Sequence, residues 1–322
     1  MPPGPRILVL RFSSLGDVVL TTPLLRAIHA RHPGAALTCV VGARFAELLA
    51  THPAVTRVVA VPPGEPVTAL ARRLASDAFD MGLDLQDSAR SRRLRRRLGR
   101  QWGTVRRRRG ARLLLIWLGR DRYGVHVPMA ERYFGAARAL DVAPDGRPAE
   151  VFPRPGDEEA AARLAPPGFV ALAPGASRAT KRWPPGHWRA LAERLLAAGR
   201  NIVAVGGAAE RPLLDLPGIV PAYGLPLLVT AALLRRARVV VANDSGMLHL
   251  ATAVGRPVVA LVGPTVRAFG FFPYAAQAEV LERPLACRPC SPFGSDHCPL
   301  GHHRCMIEIA PAAVHAAVER AA

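Results

Sequence analysis

A chain of 322 residues, 50% hydrophobic and 21% charged, is long enough for two domains of ordinary size and apolar enough to bury a core in each, which excludes a disordered chain. Its net charge is +19, and 42 of its 43 basic residues are arginine, so that Lys181 is the only lysine. Five cysteines, four of them crowded between Cys287 and Cys305, do not make a disulfide framework, and no apolar run approaches the 18 or so residues of a membrane span.

From the N-terminus, Met1-Pro-Pro-Gly-Pro runs directly into the apolar stretch Ile7-Leu-Val-Leu10, too short and too strand-like for a secretory signal, so a cytoplasmic protein is expected. Short apolar runs predict strands at 7–11, 37–41, 55–61 and 81–85, then at 169–173, 201–205, 239–242 and 258–262. Between them lie segments with helical spacing, such as Leu24, Leu25 and Ile28 or Trp188, Leu191 and Leu195. The alternation predicts an α/β protein of two doubly wound, Rossmann-like domains whose parallel sheets face across a cleft. Pro153-Arg-Pro-Gly and Pro166-Pro-Gly168 bracket an expected linker at 153–168, dividing an N-terminal domain, 1–152, from a C-terminal domain, 169–322, whose final helix could fold back on the first.

Residues 90–122 hold 14 arginines against one acid, Asp121. Such a block attracts polyanions, whether a phosphorylated glycolipid, an anionic membrane surface or nucleic acid, although a solvated helix face enriched by codon bias has the same look. In so arginine-biased a chain, a position that kept lysine is a candidate for needing a compact ammonium.

Ligands of doubly wound sheets bind in the loops beyond the carboxyl ends of the strands. The first strand ends in Arg11-Phe-Ser-Ser-Leu-Gly-Asp17, a turn that is neither a dinucleotide fingerprint nor a P-loop. Asp17 reads as a helix cap or as a carboxylate that takes a proton from an attacking hydroxyl. After the strand at 169–173 comes Pro174-Gly-Ala-Ser-Arg-Ala-Thr-Lys181, where small residues let backbone approach a ligand, Ser177 and Thr180 can donate to phosphate, and Lys181 adds a compact charge. A third strand delivers Asn243-Asp244-Ser245-Gly246 to a helix start, which suits an anion such as a diphosphate, and Gly263-Pro-Thr265 follows the next strand. Asp244 could grip sugar hydroxyls or merely cap, and His249 could be a packed helix histidine. No G-x-S-x-G elbow is present, which counts against an α/β-hydrolase. Finally, Cys287, Cys290, Cys298 and Cys305 form C-x2-C-x7-C-x6-C, read either as a structural zinc site or as reduced or redox-pairing thiols.

Taken together, the Arg-Phe-Ser-Ser-Leu-Gly-Asp start, the Pro-Gly-Ala-Ser…Lys-Arg-Trp-Pro loop and the Asn-Asp-Ser-Gly-x-x-His-x-Ala element with Gly-Pro-Thr resemble glycosyltransferase family 9, the ADP-heptose:lipopolysaccharide heptosyltransferases. The resemblance runs from Ile7 to about Val318. It implies a GT-B fold and inverting transfer of heptose from ADP-heptose to the lipopolysaccharide inner core, on a Kdo-lipid A type acceptor. It implies Asp17 as general base, with Lys181 stabilising the departing diphosphate. Ser177, Thr180, Glu210, Asp244, Ser245, Gly246, His249 and Thr265 would then contact the donor, and Ser14, Gly16, Arg90 and Arg92 the anionic glycolipid acceptor. No cofactor would be required and no specific nucleic acid bound. The enzyme would work peripherally at the inner face of the inner membrane. Alternatives are another donor or acceptor within the family, a GT-B-like nucleotide-sugar epimerase, which would turn over donor without acceptor, and a non-catalytic polyanion binder, indifferent to Lys181 and Asp244.

Overall fold

The computed structural model describes residues 4–99 and 101–321, and among these described residues eleven strands pair in parallel and form two sheets. By contacts it divides into two units: the chain up to Arg107 with Met129–Phe152, and Arg108–Pro128 with everything from Pro153 onward.

In the first unit, β1 (Arg6–Leu10), β2 (Ala36–Gly42), β3 (Arg57–Val61), β4 (Met81–Asp84) and β5 (Gln101–Thr104) lie in the order β3-β2-β1-β4-β5. Helices α1 (Leu15–Val19), α2 (Thr22–Arg31), α3 (Ala46–Ala50), α4 (Val67–Ala75) and α5 (Ala89–Leu98) connect them. The inner strands are near-continuous apolar runs because a parallel sheet is covered on both faces, and Leu8, Leu10, Val40, Leu70, Leu74 and Leu94 are buried in one cluster. Each contributes about 1.5–3 kcal/mol of burial. The chain builds β1 to β3 outward on one side and then returns to lay β4 beside β1, pairing Leu10 with Asp84. That reversal is the topological switch point, where an open parallel sheet presents its loops to ligands.

The excursion Arg108–Pro128, containing α6 (Arg109–Leu118), belongs to the second unit, and α7 (Met129–Phe134) returns to the first, packing on α2. Residues 153–168, expected as a linker, contain helix α8 (Pro155–Leu164). Pro155 sits in the first turn, where its missing N–H costs nothing, and Asp157 accepts from the Arg154 amide at 2.9 Å, so the proline opens a helix rather than breaking the chain.

The second sheet has the order β11-β10-β9-β6-β7-β8, from β6 (Val170–Ala173), β7 (Ile202–Gly206), β8 (Ile219–Tyr223), β9 (Val239–Asn243), β10 (Val258–Val262) and β11 (Ala278–Glu282). Its helices are α9 (Pro185–Ala197), α10 (Leu227–Arg236), α11 (Gly246–Ala253), α12 (Arg304–Ile307) and α13 (Pro311–Ala321). Here the switch point lies between β6 and β9, which pair Ala173 with Ala242. Trp183 and Trp188 are fully buried with rings edge to face at 5.1 Å, and the Trp183 indole donates to the Ile309 carbonyl at 2.9 Å. Helix α13 packs on α9 and on β9 to β11 of its own unit, burying Val314, Ala317 and Val318.

Candidate active site

Both switch points carry a buried carboxylate tied to a cation. In the first unit, Asp17 lies in α1, where Gly16 is buried and Ser14 is the N-cap. One Asp17 oxygen accepts from the Ser14 amide at 3.2 Å and the Ser14 hydroxyl at 2.8 Å; the other pairs with the Arg11 guanidinium and accepts from the Tyr133 hydroxyl at 3.1 Å. Burial alone would push the Asp17 carboxyl up, but the Arg11 charge and the Ser14 hydrogen bonds prevail and hold it below the ordinary carboxylate range. Asp17 therefore closes a capping box and stays ionised, with its side chain 14% exposed. Arg11 also donates to the Leu85 carbonyl just past β4, so the guanidinium bridges the two strands that flank the switch point.

Arg11 and Tyr133 are the residues that sequence reasoning missed here. Arg11 had a signal, a cation closing an apolar strand within the Asp17 motif. Tyr133 had none, because it is 116 residues from its partner. Of the expected acceptor contacts, Arg90 donates to the Glu65 carbonyl at 2.6 Å and stacks over Phe12, and Arg92 pairs with Asp87 at 3.4 Å. Arg95 reaches the fully buried Asp84 at 3.2 Å, whose other oxygen accepts from the Gln86 and Asp87 amides. Within α5, Arg95 thus fastens the helix to its sheet, and Arg90 fastens it to the loop after β3. Arg92, Arg95, Arg96 and Trp102 line a cavity of about 280 Å³.

In the second unit, Lys181 Nζ lies 2.7 Å from Asp244 Oδ2, and Thr265 donates to the same oxygen at 2.6 Å. Three loops, after β6, β9 and β10, therefore converge on one atom. Burial raises the Asp244 carboxyl, whereas the Lys181 ammonium and the Thr265 hydroxyl lower it further, so it stays ionised. Ser245 is the N-cap of α11, Gly246 opens the helix, and the Ser245 hydroxyl oxygen is buried with no hydrogen-bond partner. His249 is buried on α11. Fully buried Asn243, unforeseen as a site residue, holds the loop after β6 by donating to the Pro174 carbonyl at 2.8 Å and accepting from the Trp183 amide at 3.1 Å. Glu210 accepts from the Gly207 amide at 2.9 Å, and a Cβ on Gly175 would meet its carboxylate at 2.0 Å. The glycine clears the space that brings Glu210 beside the Lys181 loop.

Ser177 is exposed in that loop, but Thr180 is not presented to a ligand. Its hydroxyl donates to the Ser295 carbonyl at 2.8 Å and accepts from the Ser295 amide at 2.8 Å, while the Thr180 carbonyl meets His303 Nε2 at 2.9 Å. Thr180 thus braces the Lys181 loop against the cysteine segment. The four cysteines interact electrostatically, and burial pushes the Cys305 thiol up to about 11. Among the described residues, however, no three His, Cys, Asp or Glu side chains gather as a metal site. As placed, Cys287, Cys290, Cys298 and Cys305 do not gather as a zinc site, one of the two readings of their spacing.

Two doubly wound parallel sheets, each carrying a charged cluster at its switch point, fit the GT-B class of fold. The profile of glycosyltransferase family 9 (heptosyltransferase) matches residues 67–297, and the chain belongs to this family. It is 31% identical to lipopolysaccharide heptosyltransferase 1 of Pseudomonas aeruginosa, over 88% of this chain and 86% of that one. Among solved structures it is similar to a glycosyltransferase family 9 protein of Veillonella parvula, with a TM-score of 0.82 and 21% identity over 98% and 96% of the chains. It also resembles ADP-heptose lipopolysaccharide heptosyltransferase II of Escherichia coli, with a TM-score of 0.75 and 23% identity over 98% of each.

Proposed function

We propose that this glycosyltransferase moves a heptose from ADP-heptose to the inner core of lipopolysaccharide, inverting the anomeric centre. The observation that carries the reading is the Lys181–Asp244–Thr265 cluster beside the start of α11, where an ammonium and free helix amides meet a carboxylate. In this assignment the donor diphosphate lies at the Lys181 loop and the α11 N-terminus, with Ser177, Ser245 and Gly246 contributing, and Asp244 and Thr265 facing the sugar. Glu210 holds the ribose and His249 supports Asp244 from within α11.

The acceptor belongs to the first unit, at Ser14, Gly16 and the arginines of α5. Asp17 takes the proton of the acceptor hydroxyl as that oxygen bonds to the anomeric carbon, and the bond from that carbon to the diphosphate oxygen breaks on the opposite face. Lys181 stabilises the negative charge that accumulates on the departing ADP, an electrostatic contribution that grows as the bond lengthens. The reading calls for no cofactor, because the leaving group is already activated. The acceptor is lipid-borne, which puts the enzyme at the cytoplasmic face of the inner membrane as a peripheral protein.

Purified protein given ADP-heptose and a Kdo-lipid A type acceptor should release ADP and add the mass of one heptose to the acceptor. Turnover of donor without acceptor would instead favour an epimerase, and no transfer under either condition would overturn the assignment.

A further inference from the structure

Helix α6 turns one face inward and leaves the other bare. Ala111, Leu115 and Ile116 pack with Val266 and Phe271 around buried Tyr123, Ala268 and Phe269. On the opposite face Leu113, Leu114, Trp117 and Leu118 are 53%, 39%, 78% and 61% exposed, and Val125 beyond the helix is 79% exposed. Their spacing, i, i+1, i+4 and i+5, sets the four helical residues along one ridge. Of the nine large hydrophobic residues exposed among the described residues, five fall between 113 and 125, so the exposure is concentrated rather than scattered.

The surroundings of the ridge are cationic. Arg109 and Arg112 lie in the first turns, exposed Arg120 and Arg122 follow the Gly119 cap, and Arg112 stacks over half-exposed Phe293. The only acid nearby in sequence, Asp121, is committed to His126 at 2.6 Å and to the Tyr123 amide at 2.7 Å. A ridge of leucines and a tryptophan flanked by arginines, with its one neighbouring acid already paired, matches an anionic lipid surface. At ten residues the helix is about 15 Å long, too short to span a bilayer but long enough to lie in its interface.

We infer that α6 is an interfacial membrane anchor, inserting Leu113, Leu114, Trp117 and Leu118 among the acyl chains of an anionic bilayer while its flanking arginines bind phosphate headgroups. This deepens the proposed action on a lipid-borne acceptor and rests on it for its purpose.

The test uses the full chain with phosphatidylcholine vesicles, with or without phosphatidylglycerol. Trp183 and Trp188 are fully buried and Trp102 is partly exposed, so every protein in the test carries Trp102→Phe, which leaves Trp117 to report on the helix. Its emission should shift blue and be quenched by brominated lipid only with anionic vesicles. Leu114→Ser with Leu118→Ser should weaken binding about tenfold or more while the melting temperature stays unchanged. Wild-type binding by that variant, or a vesicle-bound Trp117 still open to acrylamide, would overturn the inference. So would a lipid-free oligomer in which Trp117 is already shielded, since the ridge would then serve a second copy. With a lipid-free inner-core oligosaccharide the variant should transfer heptose as well as wild type. If wild type transfers none, the proposed reaction fails, and the vesicle result still decides the helix.

Discussion

The single lysine of the chain, Lys181, forms its ion pair with Asp244 at 2.7 Å across the switch point of the second sheet, joining the loop after β6 to the loop after β9. Both side chains are nearly enclosed, at 12% and 8% exposure. An unbranched ammonium on a slim stem suits the space: a Cβ on Gly294 would come within 3.0 Å of Lys181 Cγ. A compact ammonium rather than a planar guanidinium fork is what this position is expected to need.

Lys181→Arg therefore keeps the charge and loses the reaction. Turnover should fall by about 10²–10³, the usual loss of one preorganised donor to a developing anion. Arg107→Lys, where the guanidinium donates to the Gln86 carbonyl, should change turnover little. Steady-state kinetics of both variants decide the matter. Equal, small effects would return the lone lysine to codon usage.

Lys181→Met should leave Asp244 buried without its cation, at a cost of about 3–5 kcal/mol in denaturant unfolding at neutral pH. Adding Asp244→Asn should recover most of that stability and none of the ADP affinity. Asp244 is depressed in the native state, so its contribution is present above the unfolded carboxylate value and lost as pH falls through the native one. The stability gap between wild type and the double variant should accordingly narrow in acid. Recovery of ADP binding in the double variant would show that Lys181 serves only its carboxylate partner.

The inner strands were legible because burial on both faces makes them continuous apolar runs; β1, β2, β4, β6, β7, β9 and β10 match predicted stretches to within one residue at each end, and the edge strand β3 lies inside the stretch predicted at 55–61. The three strands that escaped, β5, β8 and β11, are edges. Gln101-Trp-Gly-Thr is short, β8 carries Pro221, which an edge tolerates, and β11 has only three apolar residues, interrupted by Glu279 and Glu282. At the sites, contiguous motifs showed Asp17, Lys181 and Asp244. Contacts distant in sequence stayed hidden: Tyr133 on Asp17, and Ser295, which occupies Thr180 from 115 residues away. Trp117 escaped for another reason, since an apolar ridge reads the same in sequence whether it faces a core or solvent.

Asp17→Asn should abolish transfer while ADP binding, which belongs to the other unit, stays close to wild type. A sharper prediction concerns its partner. Arg11 is what offsets the burial of Asp17, so Arg11→Met leaves desolvation unopposed by that charge and raises the carboxyl. The acid limb of the pH–rate profile should move to higher pH by about 1 unit or more. Tyr133→Phe removes a hydrogen bond to the ionised form and should move the limb the same way by less. An acid limb unmoved by Arg11→Met would show that the titrating base is not Asp17.

Thr180 separates a brace from a ligand. Its hydroxyl is 2.8 Å from both the amide and the carbonyl of Ser295, so Thr180→Val loses both hydrogen bonds and leaves those two backbone groups short of a partner. Thr180→Val should cost about 1–3 kcal/mol, a few degrees in melting temperature for a chain of this size. Thr180→Ser, which restores the hydroxyl, should recover it. Donor KM should rise in proportion to the loosening of the Lys181 loop, and saturating ADP should restore much of the lost melting temperature. A Thr180→Val protein as stable as wild type but weak in ADP binding would instead make the hydroxyl a direct phosphate ligand.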